Sequence, residues 1–334
     1  MVSNSRTYQF ATKPSIVSTA VAVGPLEKES PFHPHFDHVY DDERLGQDTN
    51  EKGHSQLIED TCNLAIMKGG FQLPDIDLFL GGDLVNQMTP TNFAARQLAT
   101  PFMGMFSACA TSISSLITAS FFLETKQMDR ILFGAASQHN AVERQFRYPI
   151  EYGAQKPPTG QWTVTGAGYG VLSHNQVGKP FVQSATIGQV MDCECTDPLD
   201  MGSAMAPAAF DTIQRHLAQN KGTSYDFVMT GDLGKNGFAI LQELIKTSGV
   251  SSYLVDKYRD AGSEFYGNDD KFLSGASGAG CSATVYLGPI YAELLAKQYK
   301  KILLVATGAL LSPLSFQQGE TIPCIAHAVE LSME

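Results

Sequence analysis

Positive charge is scarce in this chain. Its 23 Lys and Arg against 34 Asp and Glu give a formal net charge of −11, and no basic run offsets that locally. Affinity for nucleic acid comes chiefly from cations laid along the phosphates, so a nucleic-acid partner is excluded. Long apolar runs are missing too. "MVSNSRTYQFATKP" has no continuous apolar core of the signal-peptide kind, and "SIVSTAVAVG" is too short and too broken by Ser and Thr for export or for spanning a bilayer. It reads instead as a first strand stopped by Gly24-Pro25. The six cysteines, Cys62, Cys109, Cys193, Cys195, Cys281 and Cys324, follow neither disulfide nor zinc spacing, which points to reduced thiols inside a cell. "FHPHFDH" offers His33, His35, Asp37 and His38 but no distant fourth ligand, so no metal is expected. "GAGYG" runs on into a strand rather than opening a helix, which excludes a nucleotide cofactor. No cofactor of any kind is expected. The expectation is a soluble intracellular chain whose 334 residues, 43% of them hydrophobic, can bury a large core.

What is present is one plan written twice. "DIDLFLGGDLVN" (75–86) resembles "SYDFVMTGDLGKN" (224–236), each an apolar strand running into Gly-Asp-Leu. "DRILFGAAS" (129–137) resembles "KKILLVATGA" (300–309), and "VTGAGYGVLS" (164–173) resembles "PCIAHAVELS" (323–332) as a closing strand. Between these markers each half carries a small-residue turn with a cysteine, followed by a helix. Cys109 precedes Ile131 by 22 positions and Cys281 precedes Ile302 by 21. Each half therefore reads as βαβαβ with buried-type strands, predicting mixed, largely parallel sheets layered with helices. The halves are placed at 1–176 and 177–334.

"FSACATSISS" (106–115) puts Cys109 where a strand hands over to a helix. Ile113, Leu116, Ile117 and Phe121 share one helical face, and Thr111 or Ser112 is expected to cap the first turn. A second helix, "GSAMAPAAFDTIQRHLAQN", turns Met205, Ala209, Ile213 and Leu217 inward and leaves His216 at the surface. A thiol at a helix N-terminus faces unpaired N–H groups and the positive end of the dipole, which favour its thiolate. Cysteine is also a common small buried residue, so Cys109 is either functionally placed or packing.

A tandem α/β duplication with a cysteine at this junction resembles the thiolase fold. Within that superfamily the chain is similar, over nearly its whole length, to the stage V sporulation protein AD family of spore-forming bacteria. The motifs that carry the resemblance are "VGPLEKESPFHPHFD", "GDLVNQ", "FSACATS", "SQHNAVERQFRYPIEYGAQKPPTGQWTVTGAG", "DMGSAMAPAA", "GASGAGCSA", "VATGALLSP" and "IPCIAHAV". The resemblance implies a protein that binds dipicolinic acid (pyridine-2,6-dicarboxylate) for uptake into the developing spore. It implies a homodimer, acting with membrane proteins of the same transport system and associated peripherally with the spore or forespore inner membrane. It also implies an alternative, an acyltransferase or ketoacyl-synthase-like enzyme with Cys109 as nucleophile and His327 as base.

Condensing enzymes need a base and an oxyanion stabiliser from the second half, commonly two His or a His and an Asn. Here Gly231-Asp232-Leu233 and Cys281 stand where such groups are expected, and of this half's imidazoles only His327, in "CIAHAV", is expected to reach the site. A carboxylate at that place opposes acyl transfer and favours a binding protein. For a flat dianion, "HNAVERQFRYP" supplies His139, Asn140, Arg144, Arg147 and Tyr148 after a strand end. The helix start from Cys109 to Ser112 adds backbone donors, and Tyr148, Phe146 or Trp162 can pack on the ring. The candidate ligand-binding set is Cys109, Ser112, His139, Asn140, Arg144, Arg147, Tyr148 and His327. Glu143 and Glu151 are available to both arginines as solvated partners.

Overall fold

The computed structural model describes residues 6–249 and 256–334. Residues 1–5, at the head of the stretch inspected for a signal peptide, lie outside the described residues. The first half contributes strands β1 (Thr7–Gln9), β2 (Ser15–Val23), β3 (His38–Val39), β4 (Leu78–Gly82), β5 (Phe102–Gly104), β6 (Arg130–Ser137), β7 (Trp162–Thr163) and β8 (Gly166–Ser173). The second contributes β9 (Phe181–Thr186), β10 (Phe227–Thr230), β11 (Tyr258–Asp260), β12 (Ala276–Ser277), β13 (Lys301–Ala309) and β14 (Cys324–Ser332). The helices that matter here are α1 (Asn50–Lys68), α2 (Thr89–Leu98), α3 (Thr111–Glu124), α4 (His139–Phe146), α5 (Met201–Gln219), α6 (Gly234–Ser248), α7 (Ala261–Glu264) and α8 (Ala279–Val285).

The duplication is plain in the strand order, β11-β10-β13-β14-β9-β2-β8-β6-β4-β5. Reading outward from the centre, β2-β8-β6-β4-β5 and β9-β14-β13-β10-β11 repeat one pattern. In each, the first two pairings are antiparallel and the next two parallel. Along this path the halves meet where β2 touches β9, at Ser15 with Phe181; β1 also pairs with β9, and β7 with β12.

Strand parity explains why these strands look apolar on both faces. In β6, Ile131 and Phe133 enter one core while Leu132 enters another. In β13, Ile302, Leu304 and Ala306 enter the shared core, whereas Leu303 and Val305 face a third. Successive strand residues point to opposite faces, so burial of both faces demands helices on both sides. α1 and α2 cover the first half-sheet, α5 covers the second with α6 packed on it, and α3 with α8 lies against strands of the interior. α3 is accordingly buried nearly all round through its first three turns, rather than along the single face that its periodicity suggests.

Three local expectations are corrected. Neither Thr111 nor Ser112 caps α3; the N-cap is Ala110, with no side-chain cap bond. The Thr111 hydroxyl instead donates to Ala108 O (2.6 Å) and accepts from Ser107 N (3.1 Å), pinning the turn in front of the helix. Cys281 lies inside α8 instead of in the turn before it. His216 is fully buried rather than at the surface. Its Nδ1 pairs with the Thr186 hydroxyl (2.8 Å), from β9, and its Nε2 with the Tyr225 hydroxyl (3.0 Å), from the loop after α5. Among the described residues, no helix is long and apolar enough to cross a membrane.

Candidate functional site

Cys109 sits between β5 and α3 in a tight elbow. The residue before it, Ala108, takes a left-handed backbone conformation (φ 48°), and Thr111 ties the loop as described. On the facing strand β13, Gly308 allows the close approach, because a Cβ there would lie 2.4 Å from Ser107 O. The elbow holds Cys109 at the wall of a cleft with about 430 Å³ of free space, its open mouth included. Phe106, Val142 and Phe146 form an apolar side, Ala309 and Leu311 another, and Arg147, Thr163 and Gly278 supply polarity. Among the described residues, no histidine lines it.

The second half brings a carboxyl group to the thiol. Asp232, fully buried, accepts from the Thr307 hydroxyl (2.8 Å) and from Gly278 N (3.0 Å), and it lies close enough to the Cys109 thiol for each group to shift the other. Gln161 holds its backbone through a bond from Nε2 to Asp232 O (2.8 Å). Burial pushes the Asp232 carboxyl up to about 7, with the nearby Asp260 adding to the rise and the hydrogen bonds opposing it. Burial and then the Asp232 charge drive the Cys109 thiol far above its ordinary value; Gly278 N and Arg147 offset only part of this. The helix-start field expected to favour a thiolate is therefore outweighed. Cys281 shares this environment, donating toward Gly231 O (3.5 Å) and pushed upward by burial, Asp232 and Asp260.

The cation of the cleft is Arg147. Its side chain is 3% exposed and bonds Glu143 at 2.7 Å and Pro198 O at 3.3 Å. Glu143 also meets Lys156 (3.2 Å) and the Thr163 hydroxyl (3.0 Å). Burial opposes the Glu143 charge, but Arg147 and Lys156 overcome it and hold the carboxylate below its usual range. The Glu143–Arg147 pair foreseen as solvated is thus buried, and two cations surround one anion, leaving local positive charge beside the cleft.

The other candidate residues disperse. Ser112 bonds Ser282 (2.9 Å), whose hydroxyl reaches Cys109 O (3.3 Å), so it ties α3 to α8. Arg144 pairs with Glu51 at the half-exposed surface, and Tyr148 lies against Tyr152 with ring centroids 6.0 Å apart. His327 is absent from the cleft wall; its Nδ1 accepts from Gly188 N (3.2 Å), and burial lowers it to about 4, so it is neutral. His139 and Asn140 line a different hollow with Trp162. Sequence reasoning missed Leu84, Val142, Met201 and Leu311, whose apolar character carries no sign of a cleft.

The structure of a human mitochondrial 3-ketoacyl-CoA thiolase matches with a TM-score of 0.59 at 12% identity, over 97% of this chain and 99% of that one. A 3-oxoacyl-[acyl-carrier-protein] synthase III from Aquifex aeolicus VF5 gives 0.58 at 11% identity, over 96% and 99%. These likenesses show a thiolase-like fold. The family model described as Stage V sporulation protein AD matches residues 4–332. The Stage V sporulation protein AD of Bacillus subtilis (strain 168) is 43% identical over 331 residues, 98% of this chain and 97% of that protein. The chain belongs to the Stage V sporulation protein AD family.

Proposed function

We propose that the chain is a non-catalytic receptor for dipicolinic acid, serving its uptake into the developing spore. The Cys109–Asp232 pairing carries this conclusion. A thioester-forming cysteine needs a thiolate and a partner able to take its proton. Here the neighbour is a buried carboxyl group whose charge keeps the proton on sulfur, and among the described residues no imidazole lines the cleft. What remains is a pocket with apolar sides suited to a flat ring and a buried guanidinium suited to a carboxylate. Ala309 and Leu311 with Phe106 and Phe146 offer the apolar contact, and Arg147 the charge. Action with membrane proteins of the transport system, peripheral association with the spore inner membrane, and a homodimeric state belong to the same proposal.

Calorimetry on the full chain tests it: saturable heat with dipicolinate, weakened at least about tenfold by Arg147→Ala and by Cys109→Ala, is expected. No heat from folded protein rejects it. One observation favours acyl transfer as a second reading, since Gly278 N lies close enough to Cys109 to favour its charged form. A stable acyl adduct after incubation with acyl-CoA, seen by intact mass and lost in Cys109→Ser, would establish the enzyme instead.

A further inference from the structure

A second hollow, with about 720 Å³ of free space to its open mouth, shares no lining residue with the Cys109 cleft. Trp162 and Thr163 are consecutive residues of β7, and Trp162 lines the hollow while Thr163 lines the cleft. Strand alternation thus sets the two cavities on opposite faces of β7.

Three side chains of this hollow carry buried polar atoms with no hydrogen-bond partner among the described residues: Glu27 Oε2, His139 Nε2 and Trp162 Nε1. Glu27 is 1% exposed and His139 5%. Each is otherwise held firmly. Glu27 Oε1 accepts from Thr165 N (2.9 Å) and from the Tyr266 hydroxyl (3.0 Å). His139 Nδ1 faces Thr163 O at 2.8 Å, and a carbonyl accepts only, so Nδ1 carries the proton and Nε2 presents a lone pair. The imidazole stacks on Trp162 with centroids 4.5 Å apart and planes 13° from parallel. Leaving such atoms unmet is costly, so the hollow has a free acceptor at His139, a free donor at Trp162 and, on the ionised Glu27, a second free acceptor, all on rigid supports.

Among the described residues the lining carries three carboxyl groups, Glu27, Glu43 and Glu151, and no Lys or Arg, which disfavours an anion. Burial is the largest influence on the two buried groups: it lowers His139 to about 4 and, with Glu43, pushes Glu27 up to about 7. A neutral guest suits two groups that burial holds against charge. We propose that this hollow is a second ligand site for a small neutral molecule with a primary carboxamide head, its two N–H groups donating to Glu27 and His139 and its carbonyl accepting from Trp162. Leu26 and Ile150, also in the lining, take an apolar body. The site does not depend on what the Cys109 cleft holds.

Trp162 is the sequence's single tryptophan, so its fluorescence reports on this hollow directly. Benzamide added to the full chain is expected to change that emission saturably. N,N-Dimethylbenzamide, which keeps the carbonyl and loses both N–H groups, should bind at least about tenfold more weakly. Trp162→Phe keeps an aromatic ring at this position and removes the donor; ligand-observed NMR should show a similar loss of benzamide binding, as should Glu27→Gln, with dipicolinate heats unchanged in the Trp162→Phe protein. Absence of a saturable benzamide signal from folded protein, equal binding of the dimethyl compound, or full binding in folded Trp162→Phe would overturn the proposal.

Discussion

The carboxyl group of Asp232, carried by the second half of the duplication, lies beside the thiol of Cys109, 123 positions away in the first. Both groups are buried, so neither can shed its proton cheaply while the other is charged. This pairing sets the chemistry of the cleft, and it is open to direct measurement.

Thiol reactivity is the first test. At neutral pH, Cys109 should alkylate far more slowly with iodoacetamide than Cys193, which is exposed. Asp232→Asn removes the opposing charge and should raise the Cys109 rate about tenfold, the equivalent of one pKa unit or so. Peptide mass mapping over time checks both rates.

Asp232 also makes stability depend on pH. Its folded value of about 7 lies above its ordinary value of 3.8, so the folded state holds a proton that the unfolded chain releases. Its contribution is fully present below about pH 4 and is lost as pH rises through 7. Relative to the parent, Asp232→Asn should therefore gain stability by roughly 1–3 kcal/mol between pH 5 and pH 8. Urea unfolding at the two pH values checks the sign.

Arg147→Ala leaves Glu143 buried with Lys156 as its remaining cation. Breaking a buried pair in this way should destabilise the fold by roughly 3 kcal/mol. Pairing it with Glu143→Gln should return part of that loss. Denaturant midpoints of the single and double variants form the required cycle.

The elbow depends on Gly308. A Cβ there would approach Ser107 O to 2.4 Å and the Ala108 Cβ to 3.2 Å, so Gly308→Ala must push the Cys109 turn away from β13. A loss of about 1–3 kcal/mol is expected. Thermal melting reads the loss, and weaker dipicolinate binding in the still-folded variant would report the displaced turn.

Much of the architecture is legible in local sequence. The repeated Gly-Asp-Leu strands became β4 and β10, the paired closing strands became β8 and β14, and the elbow was marked by small residues around Cys109. The candidate site was less legible. Arg147 and Cys109 do line one cleft, whereas His139 and Asn140 face another hollow, and Arg144 turns to Glu51. These residues lie close together in "HNAVERQFR", but a helix sends its successive side chains around an axis, so nearness in sequence does not place them in one cavity.

By itself the sequence determined the strand periods, the duplicated order and the helix start behind Cys109, because each follows from interactions within a few residues. Only the tertiary structure decided that Asp232 meets the thiol, that His216 is buried among Thr186 and Tyr225, and that β7 divides two cavities. Those outcomes come from strand pairing and helix packing between segments far apart in the chain, where burial and charge are set by neighbours that no local stretch contains.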